Sequence, residues 1–207
     1  MTKKGMLIVL SGPSGSGKGT IVSKLLEKRD DTVLSISMTT RAPREGEIDG
    51  VHYYFTNRED FEKIQSLGGF LESAEYNHNY YGTPESTVRE WLSEGKNVIL
   101  EIEVQGAEKV MDFRSDLVSI FITIPSMEEL RRRLTGRGTE TEETINARME
   151  VAKRELKRAF RYDYVVINDK VDDAVERINT IIEAEQMRFA RMDEEYIRGV
   201  LENAETE

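Results

Sequence analysis

The sequence contains no cysteine, only two histidines and no apolar run long enough to cross a membrane. Without cysteine the chain cannot form disulfides or thiolate zinc sites. His52 and His78 lie in no metal-binding spacing. The short apolar run near the N-terminus ends in glycines and has no signal-peptide cleavage site. These absences predict a cytoplasmic protein that does not associate with membranes.

Basic residues are also in deficit, with 29 Lys and Arg against 39 Asp and Glu, a formal net charge of -10. So acidic a chain is poorly suited to gripping a nucleic-acid backbone, and we expect no nucleic-acid partner. Any anionic ligand must therefore be held by a local cluster of cations. The 207 residues, 38% of them hydrophobic, suffice for one sizeable core with small insertions.

A glycine-rich segment directly follows the apolar run at residues 6–10. A strand that leads into such a turn lets successive backbone N–H groups point at phosphate oxygens, and Lys18 adds a positive charge. The expected ligand is a nucleoside triphosphate, and the alternative is a glycine turn without a ligand. The segment consists of Gly12, Pro13, Ser14, Gly15, Ser16, Gly17, Lys18, Gly19 and Thr20.

The residue after the lysine is Gly19, where this motif usually has the Ser or Thr that coordinates Mg²⁺. The hydroxyl is displaced by one position, to Thr20. We therefore expect magnesium to be bound by phosphates, water and Thr20.

Four segments are rich in valine, isoleucine and leucine, as in strands covered on both faces of a sheet. They are residues 6–10, 97–102, 117–124 and 164–167. Helical patterns cover residues 84–94, a stretch that begins with a Ser126–Glu129 capping box and runs to Leu134, and an amphipathic stretch after Asp172. Alternating strands and helices predict an α/β core with a parallel sheet flanked by helices.

Two segments interrupt this alternation. Residues 35–84 are rich in Thr, Tyr, Asn and Gly, and predict a small mixed α/β lobe with antiparallel strands. Residues 127–158 are charged and rich in arginine around a flexible Gly-Arg-Gly triplet, which is typical of a helical lid. Residues 1–34, 85–126 and 159–207 are assigned to the core, and the whole forms one domain over about residues 5–184.

The insertion opens with Arg41 and Arg44, which are three residues apart with a rigid proline between them. Two guanidinium forks at this spacing can bind one dianionic group, which suits a phosphate acceptor. From spacing alone, a solvated basic loop is an equally good interpretation.

Taken together, these motifs resemble the guanylate kinase family, and they occur in the family's order from about residue 6 to residue 182. The resemblance implies transfer of the γ-phosphoryl group of ATP to GMP, giving ADP and GDP. It also implies a P-loop core, a GMP-binding lobe, a lid and Mg²⁺ with ATP. The motifs are SMTTRAPR at 37–44, FLE at 70–72, NYYGT at 79–83, EIEVQG at 101–106 and GRGTE at 136–140.

The resemblance implies that the acceptor site lies in the inserted lobe. Arg41, Arg44, Tyr53 and Tyr81 would hold the GMP phosphate, and Ser37, Glu72 and Thr83 would read guanine. The chemistry of guanine supports Glu72 independently, because one ionised carboxylate can accept from both N1–H and the exocyclic N2–H₂. Adenine would present a lone pair instead, and a site built on such hydrogen bonds can reject the analogue by on the order of 10⁴.

On the donor side, the resemblance implies that residues 12–20 wrap the ATP phosphates. Lys18 would bridge toward the transferred group, while Arg133, Arg137 and Arg148 would close over it from the lid. Lys18, Arg41, Arg137 and Arg148 are thus the expected catalytic residues, because phosphoryl transfer spreads negative charge that arriving cations stabilise. A surface salt bridge is the alternative for each single lid arginine. We expect Arg131, Arg132 and Arg158 to be solvated.

Glu101 and Glu103 end the second predicted strand of the core. P-loop proteins place an acid near the metal and the nucleotide at this point. Thr20 and Glu101, the latter through water, are the expected magnesium residues. The family usually has Asp at the position of Glu103, and the extra methylene leaves Glu103 open between the water shell of the metal and the guanine side. Glu101 is a candidate for GMP binding as well as for the metal. Asn168 matches the stretch that borders adenine. No general base is required, because the GMP phosphate, with a second pKa near ~6, is itself the nucleophile.

Two alternatives to this function remain from the sequence. Another nucleoside-monophosphate kinase would equally permit the Gly-Lys-Gly-Thr ending of the loop, although Glu72 and the arginine motif speak against it. A non-catalytic scaffold module that binds phosphorylated peptides would need neither an intact glycine loop nor Lys18. ATP and GMP are the expected partners, and the oligomeric state stays open, a homodimer included.

Overall fold

The computed structural model describes residues 4–76, 78–136, 141–191 and 198–199. Strands and helices alternate through most of this range. The strands are β1 (Leu7–Ser11), β2 (Thr32–Leu34), β3 (Met38–Thr39), β4 (Tyr54–Phe55), β5 (Phe70–Tyr76), β6 (Asn79–Pro84), β7 (Asn97–Glu101), β8 (Leu117–Thr123) and β9 (Tyr164–Ile167). The helices are α1 (Lys18–Lys28), α2 (Arg58–Ser66), α3 (Glu85–Ser93), α4 (Val104–Phe113), α5 (Met127–Thr135), α6 (Glu142–Leu156) and α7 (Val171–Gln186).

Five strands form a parallel sheet in the order β2-β7-β1-β8-β9. Successive side chains of β1 enter opposite faces, as the strand period requires. Ile8 and Leu10 pack with α1 and α7, whereas Leu7 and Val9 pack with α3 and α4. This two-sided burial explains the near-continuous apolar runs of β1, β7 and β8, and the predicted parallel sheet flanked by helices is confirmed. For residues 164–167 the expected two-sided burial is wrong, because β9 is an edge strand and Val165 and Ile167 are exposed. The short strand β2 and the helix α4 have no counterpart among the predicted elements.

A second sheet, in the order β4-β3-β6-β5, forms the inserted lobe. Antiparallel pairing holds for β3 with β6 and for β5 with β6. The strands β3 and β4 run parallel instead, because a long connection separates them along the chain. Helix α2 packs on this sheet through the fully buried Phe61, whose ring stacks on Phe70 and Tyr80.

Helices α5 and α6 occupy the segment predicted as a lid. They share a small cluster of buried side chains that includes Leu130, Leu134 and Ile145. The Ser126 hydroxyl accepts the Glu129 backbone N–H at 3.1 Å, which confirms the predicted cap. The Glu129 carboxylate does not complete a capping box, because it accepts hydrogen bonds from Arg132 and Arg133. No helix in the described ranges is both long and apolar enough to span a bilayer.

Candidate active site

The glycine loop connects β1 to α1 at the carboxyl edge of the parallel sheet. Gly12 has φ +146°, and a side chain there would collide with the carbonyl oxygen of Ile122 on the neighbouring strand β8. Gly17 has φ +90° and caps α1, and a side chain there would collide with the Asn168 amide. Both positions require glycine, because conformation and space each exclude a side chain. The loop therefore presents backbone N–H groups at a helix N-terminus, an arrangement that binds phosphate.

Lys18 lies at the first position of α1, with its side chain folded back along the loop. Its Nζ donates to the carbonyl oxygens of Gly12, at 2.6 Å, and Pro13, at 3.3 Å. Burial lowers the pKa of Lys18, and the negative charges of Glu103, Glu101 and Glu155 oppose this shift. The lysine thus sits between the loop backbone and acids from three different elements. An arriving phosphate would give it a stronger partner than carbonyl oxygens.

The loop is supported from behind by Asn168 and Arg133. The buried Asn168 amide donates to the Ser16 carbonyl at 2.7 Å. Arg133 donates to the Asn168 carbonyl at 2.8 Å and is fixed by Glu129 at 2.7 Å. Asn168 therefore contacts the loop directly, and its expected place beside adenine stays a prediction.

Helix α6, in the segment predicted as a lid, reaches the loop through Arg148, which donates to the Ser14 hydroxyl at 2.5 Å. Arg137, expected to be catalytic, lies outside the described residues. Three other arginines, which were expected to be solvated, contact acidic or amide side chains at the surface. Arg131 contacts Glu142 and Asn146, Arg132 contacts Glu129, and Arg158 contacts Glu108.

On the lobe, Arg41 is held in a fixed orientation. Two of its N–H groups donate to the two oxygens of Glu47, at 2.8 and 2.9 Å, and a third donates to the Ala42 carbonyl at 2.7 Å. The hydrogen bonds from Arg41 lower the pKa of Glu47 to about 2. The guanidinium also lies over the ring of Tyr53, 5.4 Å from its centre. Arg41 is thus oriented before any ligand binds.

Tyr53 and Tyr81 meet edge to face beside Arg41, with ring centres 6.0 Å apart. Burial raises the pKa of the Tyr53 hydroxyl, so this group remains a hydrogen-bond donor at neutral pH. Arg44 is exposed, and its backbone N–H donates to Glu47 at 2.7 Å. The structure therefore brings Arg41, Tyr53 and Tyr81 together and leaves the Arg44 side chain at the rim.

Glu72 and Thr83 face each other across β5 and β6, and the Thr83 hydroxyl donates to Glu72 Oε1 at 2.8 Å. The strand register shifts between Phe70 and Glu72, and such irregularities re-aim side chains. Burial raises the pKa of Glu72, while Thr83 and the charge of Lys109 oppose the shift. Ser37, also expected here, lies just before β3, and its carbonyl accepts the Tyr54 N–H at 2.9 Å.

The site thus has two halves. One is the glycine loop with the nearby cations Lys18, Arg133 and Arg148, and the other is the lobe with the oriented Arg41 and the partly buried carboxylate of Glu72. The family model for guanylate kinase matches residues 4–185. The chain belongs to the guanylate kinase family. It is 52% identical to the guanylate kinase of Clostridium perfringens strain 13, covering 99% of this chain and 93% of that protein. With the guanylate kinase of Halalkalibacterium halodurans the identity is 54%, over 94% of this chain and 95% of that protein.

A crystal structure of guanylate kinase from Anaplasma phagocytophilum has the same architecture. Its TM-score to this chain is 0.74 at 40% identity, and the match covers 92% of this chain and 90% of that one.

Several observations bear on the magnesium ion that guanylate kinases use with ATP. Glu101 ends β7 beside the loop, and a side chain at Gly19 would lie 3.7 Å from Glu101 Oε1, in ordinary contact. The carboxylate therefore occupies the space next to the missing hydroxyl, and Thr20 is exposed one residue later. No group of three potential metal ligands occurs among the described residues. This donor set fits Mg²⁺, which is bound by one or two carboxylates while keeping phosphates and water as its other ligands.

Two residues of this guanylate kinase site had no predicted role. Glu47 follows the arginine motif, and its position six residues after Arg41 was the available signal. Glu155 lies on α6, seven residues after Arg148 and therefore on the same helical face. Burial and the negative charge of Glu103 raise its pKa, and the positive charge of Lys18 opposes the shift. Helix α6 thus brings a cation, Arg148, and an acid, Glu155, to the glycine loop.

Proposed function

We propose that this chain transfers the γ-phosphoryl group of ATP to GMP, giving ADP and GDP, with each half of the site holding one nucleotide. One observation carries this assignment: the same lobe holds the partly buried, hydrogen-bonded carboxylate of Glu72 and the pre-oriented cation of Arg41. A guanine base and a 5′-phosphate are the two groups of GMP that need these partners. Membership in the family supports the same reaction.

In the acceptor half, Glu72 would accept from guanine N1–H and N2–H₂, with Thr83 holding the carboxylate and Ser37 completing the pocket. Arg41, Arg44, Tyr53 and Tyr81 would bind the phosphate. The hydroxyl of Tyr53 stays protonated because burial raises its pKa, so it can donate to a phosphate oxygen. Charged and neutral donors together would fix the direction in which the nucleophilic oxygen points.

In the donor half, the backbone of residues 12–20 would hold the phosphates of ATP, and Lys18 would leave the loop carbonyls to bind the transferring group. An oxygen of the GMP phosphate attacks the γ-phosphorus, and the bond to the oxygen that bridges the β- and γ-phosphorus breaks, with ADP as the leaving group. Arg148, together with Arg133 and Arg137, would neutralise charge on the equatorial oxygens. Thr20 and Glu101, through water, would hold Mg²⁺, which supplies further charge neutralisation when bound.

Glu103 is assigned to the donor half, because its charge acts on Lys18 at the loop. The alternative function, a scaffold module that binds phosphorylated peptides, is disfavoured by the same loop. An intact set of phosphate-binding glycines with a half-buried lysine has no use in such a module. The cytoplasmic location stays a prediction from the sequence. The oligomeric state, a monomer or a homodimer, also stays a prediction, and light scattering on the purified protein tests it.

The decisive experiment measures ADP release with purified protein, ATP and MgCl₂, comparing GMP with AMP, CMP and UMP at matched concentrations. GMP should be preferred over AMP by at least about 10³-fold in kcat/KM, since the site would reject a base that cannot donate to Glu72. Product analysis should find GDP in a one-to-one ratio with ADP. A preference for AMP, or ADP release that does not depend on any nucleoside monophosphate, would refute the assignment.

A further inference from the structure

The carboxylate of Glu72 lies directly against helix α4 of the core. A side chain at Gly106 would place its Cβ 3.2 Å from Glu72 Oε2 and 3.7 Å from Glu72 Cδ. The first distance is tighter than ordinary van der Waals contact, so the carboxylate or the helix would have to move by a few tenths of an ångström. Gly106 is the buried third residue of α4, and glycine has no advantage over alanine for helix formation there.

The carboxylate cannot retreat freely from α4, because it is held on its other side. Thr83 donates to Glu72 Oε1 at 2.8 Å from the adjoining strand β6. The strand that carries Glu72 is itself tied to α4, since Lys109 Nζ donates to the Ser73 carbonyl at 2.8 Å. Helix α4 also packs against β5. The position of the Glu72 oxygens is therefore fixed by Thr83 on one side and by the backbone of α4 at Gly106 on the other.

We propose that Gly106 is a specificity-determining positioning residue, which acts on guanine recognition through Glu72. Its missing side chain sets how far the carboxylate reaches toward the base, and hence whether both oxygens can accept from the two adjacent N–H donors of guanine. The inference rests on the proposed function, because it takes guanine as the base that Glu72 reads. It assigns part of the base pocket to the core helix α4, whereas the residues assigned above all belong to the lobe.

The variant Gly106→Ala separates this role from a structural one. Alanine is more favourable than glycine within a helix, and the nearest atom outside Glu72, Ile102 Cβ at 3.9 Å, would be in ordinary contact. The substitution should therefore raise the midpoint of thermal unfolding. The KM for GMP should nevertheless rise roughly tenfold, since displacements of this size at a hydrogen-bonding site are costly. The turnover number and the KM for ATP should stay within about twofold of the unmodified protein. The GMP-over-AMP preference should fall by the same factor as GMP affinity.

Two controls complete the test. Gly199 is also helical, and a side chain there meets nothing within 4 Å, so Gly199→Ala should leave the KM for GMP unchanged. In a Glu72→Ala background the new methyl group has no carboxylate to displace, so Gly106→Ala should then change kcat/KM for GMP by less than about twofold. A tenfold rise in KM that persists without the Glu72 side chain would overturn the inference, as would an unchanged KM in the single variant.

Failure of this inference and failure of the proposed function give different results. If the unmodified protein does not phosphorylate GMP, the proposed function is wrong and Gly106 has no base to position. If the unmodified protein prefers GMP and Gly106→Ala retains normal GMP kinetics, only the role of Gly106 is wrong. A variant that unfolds at lower temperature and loses affinity for both nucleotides would assign Gly106 to packing and would also overturn the inference.

Discussion

Glu47 binds both terminal nitrogens of Arg41, at 2.8 and 2.9 Å, in the lobe that we assign to the GMP phosphate. The pair orients the guanidinium over Tyr53 while leaving its Nε unused by these two bonds. The pKa of Glu47 is lowered from 4.5 to about 2 in the folded state. The ion pair therefore stabilises the fold fully at pH values above 4.5, and this stabilisation is lost as the pH falls from 4.5 to about 2. At neutral pH the arginine is therefore oriented before the phosphate arrives.

The first prediction concerns this orientation. Glu47→Gln keeps the shape of the side chain and removes its charge, so Arg41 should sample other rotamers. The KM for GMP should rise by about three- to tenfold with little change in the turnover number, because the variant loses the pre-organisation of Arg41 for phosphate binding. Initial rates at varied GMP give both constants. Glu45→Gln, an exposed neighbour in the same loop, is the matched control. A lower KM in Glu47→Gln would show that Glu47 competes with the phosphate.

The second prediction concerns Lys18. Lys18→Ala should lower the turnover number by at least about 10²-fold, since it removes a positive charge from the proposed path of the transferring group. GMP binding, measured by calorimetry without ATP, should stay nearly intact, because the acceptor half is separate. Lys24→Ala, an exposed lysine on the same helix that pairs with Asp172, is the control. An unchanged turnover number in Lys18→Ala would refute the loop assignment.

The third prediction concerns selectivity at Glu72. Glu72→Gln replaces one acceptor oxygen by an N–H donor, which opposes guanine N1–H or N2–H₂. The GMP-over-AMP ratio of kcat/KM should fall by about 10²-fold, with a far smaller change in the KM for ATP. Glu75→Gln, exposed on the same strand, should leave the ratio unchanged. If the ratio in Glu72→Gln also stayed constant, Glu72 would not read the base.

The fourth prediction follows from the direction of the Glu72 pKa, which burial raises. A carboxyl whose folded-state pKa lies above its unfolded value destabilises the fold as the pH rises through that window. Glu72→Gln removes this cost, so its midpoint of unfolding without ligand should exceed that of the unmodified protein near neutral pH. The difference should shrink toward about pH 4, where a free glutamate is largely protonated. Thermal melts across this range, with Glu75→Gln alongside, measure it. A pH-independent difference would contradict the burial of a charge at Glu72.

The fifth prediction concerns the lid. Arg148→Ala should lower the turnover number by about 10²-fold with a smaller effect on the KM for GMP, because Arg148 contacts Ser14 of the donor loop. Arg131→Ala removes an arginine of the same segment that contacts Glu142 and Asn146, and it should have little effect. Equal losses in the two variants would mean that the segment acts only through its overall charge or packing.

Much of the fold could be predicted because it follows from local pattern. The apolar runs at β1, β7 and β8 are buried on both faces, so their composition alone distinguishes them, whereas the edge strand β9 leaves Val165 and Ile167 exposed. The strand β2 and helix α4 escaped prediction because β2 is only three residues long and α4 carries Gly106, a poor helix former, in its first turn. The parallel pairing of β3 with β4 depends on how a long loop returns, which no local pattern encodes.

The candidate site divides in the same way. The sequence by itself determined the chemistry: the glycine loop with Lys18, the two arginines and the glutamate of the lobe, because residue type and order carry that information. Only the tertiary structure decided that Glu47 holds Arg41, that Arg148 reaches Ser14, and that Gly106 lies against Glu72. The last two contacts join elements far apart in the chain, and the first depends on how the loop between its partners folds. The physical reason is that the fold sets the relative positions of packed side chains to within a few tenths of an ångström.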